Sequence, residues 1–141
     1  MITSFCMAML LAGTSTCQMR PVNPIVGVEV RKEGPDYVFH FQNCFDPKKV
    51  IGIHGVTVKK LGPGERDGTL YCKITETPSD ARELTEKWTY GTTPPGYRMA
   101  SCEPLKAGET YRADVSGAAG GHAVFSIEND GSVRMSKQAC K

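Results

Sequence analysis

Apolar residues recur along this chain with a period of two, in short runs broken by glycine, proline, asparagine and aspartate, the pattern of strands and tight turns. In residues 25–32, Val26, Val28 and Val30 fall on one face and Glu29 and Arg31 on the other. Residues 36–42 alternate more sharply: Tyr37, Phe39 and Phe41 share a face opposite Val38, His40 and Gln42, so the aromatic face is expected to be buried. Gly34-Pro35-Asp36 supplies the turn between these two runs. Residues 50–60 form the longest candidate strand. Their apolar positions change face between Ile51/Ile53 and Val56/Val58, which predicts a bulge near Gly52 or Gly55. After a turn at 62–68, residues 69–76 return as its hairpin partner. Further strands are expected at 97–102, 110–116, 122–128 and 132–136, with Asn129-Asp130-Gly131 turning the last pair.

A helix start is marked at Pro78-Ser79-Asp80-Ala81-Arg82-Glu83-Leu84. Asp80 can cap, Glu83 sits three residues on, and Leu84 and Trp88 share a face, giving one short helix near 80–88. With seven to nine strands and no internal repeat or dividing linker, the expectation is an all-β antiparallel sandwich over residues 24–141.

The first residues differ from this pattern. Residues 1–16 carry no charge, and Phe5 to Ala12 is an apolar run of signal-peptide length followed by small polar residues. They read as a signal peptide, with 17–23 as a tether. Leu10-Leu11-Ala12-Gly13 ahead of Cys17 resembles a bacterial lipoprotein signal, with Thr14 in the place of its leucine, which makes Cys17 the candidate lipid-attachment site. Export to the periplasmic side of the cell envelope follows.

Cleavage and acylation would account for Cys6 and Cys17 and leave Cys44, Cys72, Cys102 and Cys140, an even set fit for two disulfides. Three pairings are open; the working one joins Cys44 to Cys72 and Cys102 to Cys140. Its loops, about 28 and 38 residues long, would each contribute roughly 3.5–4 kcal/mol by closure entropy. No C-x2-C pair and no histidine beside a cysteine supports a zinc site instead.

Charge and motifs then exclude several functions. With 17 Lys and Arg against 15 Asp and Glu, interspersed, no single-sign field marks a nucleic-acid binder. There is no G-x-S-x-G elbow, no Cys/His signature and no phosphate loop; Gly117-Ala118-Ala119-Gly120-Gly121 reads as a hairpin loop. His40, His54 and His122 stand apart, as surface or rim histidines, and neither Glu83/Glu86 nor Glu65/Asp67 reads as a catalytic pair. No catalytic residue, metal or cofactor is expected. The aromatic and proline-rich segment around Trp88, Tyr90 and Tyr97 has the composition of a protein interface, against the alternative that Trp88 and Tyr97 are core.

Leu105, Gly108 and Tyr111 resemble the leucine-x-x-glycine-x-x-tyrosine corner of fibronectin type III and related immunoglobulin-like sandwiches. The resemblance spans about the last 40 residues. It implies that Leu105 fills the core under the corner, Gly108 permits the turn and the Tyr111 hydroxyl bonds upstream backbone. Ser116-Gly117-Ala118-Ala119-Gly120 also begins like the Ser-Gly-x-x-Tyr loop of periplasmic lysozyme inhibitors, with Gly120 in the tyrosine's place. As a whole the chain resembles small bacterial exported proteins and lipoproteins. The functional expectation is a non-enzymatic domain that binds another protein, of the immunity or inhibitor kind. An enzyme or carbohydrate-binding module with a loop-built site is the alternative.

Overall fold

The computed structural model describes residues 26–62, 68–78, 86–117, 119–137 and Cys140. The segments expected as signal peptide (1–16) and tether with Cys17 (17–23), the expected helix start at 79–85 and residues 63–67 lie outside the described residues. Among the described residues there are nine strands and no helix: β1 (Val26–Glu33), β2 (Asp36–Asn43), β3 (Ile53–Leu61), β4 (Gly68–Glu76), β5 (Lys87–Thr89), β6 (Tyr97–Cys102), β7 (Thr110–Gly117), β8 (Gly121–Ile127) and β9 (Val133–Lys137). They form two antiparallel sheets, ordered β1-β2-β5 and β6-β4-β3-β7-β8-β9, which pack as an open β-sandwich.

The period-two pattern sets the faces. Val26, Val28 and Val30 of β1 and Phe39 and Phe41 of β2 are buried, and from the other sheet Val56, Val58, Ile74, Tyr111, Ala113, Val115 and Phe125 meet them. Val38, on the opposite face of β2, is buried as well. The register of β3 against β7 slips between Ile53 and Gly55, where the change of apolar face predicts a bulge. A second slip, between Val58 and Lys59, offsets β3 against β4. Residues 50–52 precede the strand, so β3 begins later than the apolar run does.

Aromatic rings join the layers. Phe39 lies 5.1 Å from Trp88 and meets Phe125 edge-on at 5.6 Å, and Phe125 stacks on Tyr111 at 5.6 Å. Such pairs are worth about 0.5–1.5 kcal/mol each beyond their burial. The Tyr111 hydroxyl accepts a hydrogen bond from the Lys106 amide at 2.8 Å, across a turn in which Gly108 has φ +83°. Leu105 is half-buried against the core beside it.

The edge of the small sheet closes onto the large one. The Val26 amide donates to the Gly120 carbonyl, and a Cβ on Gly121 would come within 2.1 Å of the Val26 carbonyl oxygen, so only glycine lets β1 approach. At the far end Tyr37 donates its hydroxyl proton to the Gly131 carbonyl at 2.9 Å, joining the β1–β2 turn to the β8–β9 turn.

The disulfides are Cys44–Cys140 and Cys72–Cys102, which corrects the working pairing. Cys72 and Cys102 face each other as register partners on β4 and β6, with Cα atoms 4.0 Å apart. The end of β2 and the chain segment after β9 reach the same end of the sandwich, bringing Cys44 and Cys140 to a Cα separation of 5.1 Å. Proximity along the chain favours the other pairing; strand order decides against it.

Candidate functional site

Trp88 and Tyr97 are core residues, 2% and 6% exposed, the alternative set against their reading as interface residues. Trp88 lies on β5, not on a helix, paired with Phe39 of β2. Its indole nitrogen donates to the Thr92 carbonyl at 2.9 Å, and the Tyr97 hydroxyl donates to the Ile53 carbonyl, so both polar tips are satisfied inside the fold. Tyr90 is half-buried, stacked against Phe39, and donates its hydroxyl proton to the Glu103 carbonyl at 2.5 Å. Burial pushes its phenol well above the usual range, with Tyr111, Tyr71 and Glu103 adding to the shift. A phenol so engaged fixes the 90–103 connection and presents little to a partner.

The surface feature that stands out lies elsewhere, in the β2–β3 connection. Phe45 is 68% exposed and Val50 69%, among the few large apolar side chains that face water. Here the backbone is organised: the Asn43 side-chain oxygen accepts from the amides of Phe45 at 3.0 Å and Asp46 at 3.1 Å. Asp46 in turn accepts from the Lys48 amide through its carboxylate and from the Lys49 amide through its carbonyl. These are side-chain-closed turns of the kind Asn and Asp form. The Cys44–Cys140 disulfide anchors the segment at one end, and Ile51, packed on the core, anchors it at the other.

Lys48 and Lys49 stand exposed between Phe45 and Val50. Behind them Val26, Phe41, Pro47, Ile51 and Glu86 border a cleft of about 210 Å³. The arrangement is two apolar side chains and two cations on a preorganised support beside a small recess of mixed polar and apolar lining. It is suited to surface recognition, because ordering it costs little at the moment of contact.

Sequence reasoning did not single out Phe45 or assign Val50 to a loop. The available signal was a lone aromatic between Cys44 and the turn-forming Asp46-Pro47, where no strand face could bury it.

The histidines lie apart: His40 sits 3.2 Å from Glu33, and His54 3.8 Å from Glu76. Among the described residues no group of three or more His, Cys, Asp or Glu side chains is gathered to hold a metal. Nor, among them, is any helix long and apolar enough to cross a membrane. Gly117 ends β7 and Gly121 begins β8, and the two strands pair antiparallel as the glycines suggest. Compared with known proteins, the chain matches no protein family, no curated sequence and no solved structure.

Proposed function

We propose that this chain is an exported, non-enzymatic domain of the bacterial cell envelope that works by binding another protein, in the manner of an immunity or inhibitor protein. The preorganised 43–51 segment carries the reading. It holds Phe45 and Val50 out in water on an ordered backbone, and interfaces are built around such apolar anchors with a polar rim. Lys48 and Lys49 would meet carboxylates on the partner's rim.

Two further observations agree. Both disulfides suit an oxidising compartment. The strand order β8-β7-β3-β4 opposite β1-β2-β5 parallels G-F-C-C′ opposite A-B-E in immunoglobulin-like domains, a scaffold that presents its loops for recognition. Lipid on Cys17 would hold the domain at the membrane on its periplasmic side.

The test is a differential pull-down from envelope extract with the wild-type domain and with a Phe45→Ser, Val50→Ser variant, both checked for folding. A protein retained by the wild type and lost with the variant is the expected result. Identical captures, or none across several growth conditions, would overturn the reading.

A further inference from the structure

The outer face of the six-stranded sheet carries a second, independent feature. Strand register aligns four cations across four neighbouring strands. Arg112 of β7 is opposite Lys59 of β3. Lys73 of β4 is opposite Thr57, one step diagonal from Lys59. Arg98 of β6 is opposite Thr75, one step diagonal from Lys73. Their side chains share the face because the alternate positions Val56, Val58, Ile74 and Ala113 point into the core.

Opposite and diagonal neighbours on a sheet lie roughly 5–8 Å apart, so the four charges make an oblique stripe about 20 Å long. Lys59, Lys73 and Arg98 are exposed and have no ion-pair partner among the described residues. Arg112 is held by Asp114 at 3.1 Å, the one carboxylate among the outward positions of β6, β4, β3 and β7. Adjacent like charges on a sheet oppose folding, and among the described residues only Arg112 has a carboxylate to relieve it.

We propose that this stripe is a docking surface for an extended anionic polysaccharide, its carboxylates or sulfates seated in turn on Arg98, Lys73, Lys59 and Arg112. The uncharged outward positions of this face are small or hydroxylated (Ala100, Thr57, Thr75), and Leu70, 42% exposed, flanks the stripe beside Lys59. A sugar chain can lie along such a surface with one charge per repeat. No aromatic ring projects from it on which a nucleic-acid base could stack, which weighs against single-stranded nucleic acid. The inference does not depend on the 43–51 segment, which belongs to a different connection of the fold.

The test measures binding of the full domain to heparin and to polygalacturonate at low and physiological salt, with neutral dextran, poly-L-glutamate and duplex DNA alongside. The expected result is retention on both anionic glycans that weakens as salt screens the charges, and a loss of about tenfold or more in Lys59→Ala, Lys73→Ala, Arg98→Ala. A control triple variant with the same charge change, Lys32→Ala, Lys87→Ala, Lys106→Ala, should lose less than about threefold, as screened distant charges do. Equal loss in both triple variants would reduce the effect to net charge and overturn the proposal. So would the absence of glycan binding, or equal or tighter binding of poly-L-glutamate or DNA. Thermal unfolding of both variants separates a lost site from a lost fold.

Discussion

Replacing Tyr111 by phenylalanine removes one oxygen from the centre of the fold and leaves the ring in place. Tyr111 is fully buried, stacked on Phe125 and edge-on to Tyr71 at 5.3 Å, so the ring's packing survives the change. What is lost is the acceptor for the partly buried Lys106 amide. A donor stranded in this way costs about 1–3 kcal/mol, and for a domain near 100 residues that lowers Tm by roughly 4–15 °C. The same phenol gives the measurement a second axis. Burial pushes its pKa up, against the Lys106 amide, which pulls it down. With a raised folded-state value, the contribution is fully present below the unfolded tyrosine value of about 10 and is lost as pH climbs above it, because the unfolded chain ionises first. Phenylalanine has no proton to lose, so the stability gap between wild type and Tyr111→Phe should narrow above about pH 10. Urea unfolding followed by circular dichroism at pH 7, 9 and 11 reads both effects. A variant within about 0.5 kcal/mol of wild type at pH 7, or a gap unchanged at pH 11, would refute the assignment of this hydrogen bond and of the buried neutral phenol.

Non-reducing peptide mapping should join Cys44 to Cys140 and Cys72 to Cys102, and a Cys44–Cys72 peptide would contradict the strand order. Cys44→Ala, Cys140→Ala, which opens a loop of sequence separation 96, should cost on the order of 4–5 kcal/mol in equilibrium unfolding. Trp88, the single tryptophan, should fluoresce with the blue-shifted emission of an apolar site in the native state, and Trp88→Ala should destabilise by about 3–5 kcal/mol; red, water-like native emission would place it outside the core. Gly121→Ala should cost about 1–3 kcal/mol as its Cβ meets the Val26 carbonyl, and a neutral effect in thermal unfolding would show that β1 does not approach β8 so closely.

Much of the sandwich was legible because its strands carry their own periodicity. Val26/Val28/Val30 and Phe39/Phe41 announce a buried face by alternation alone, the bulge shows as a phase change around Gly55, and Asn129-Asp130-Gly131 announces the last turn. Local pattern has no access to which chain ends meet. Cys44 and Cys140 are 96 residues apart and adjacent only because β2 and the segment after β9 finish at one end of the sandwich. Trp88 misled for a related reason: β5 has three residues, too few to show a period, and its capping-like prelude suggests a helix. Phe45 escaped notice because exposure of a lone aromatic is decided by the turn geometry that Asn43 and Asp46 impose, and that geometry appears only once their side chains are placed.

The most direct test of a protein-binding role is site-specific photocrosslinking in intact cells, with a photoreactive phenylalanine analogue at position 45 and, as a control, at the exposed Thr92. Position 45 should yield one defined protein adduct that position 92 does not, and Val50→Ser should abolish it. No adduct at 45, or the same adducts from both positions, would contradict the account.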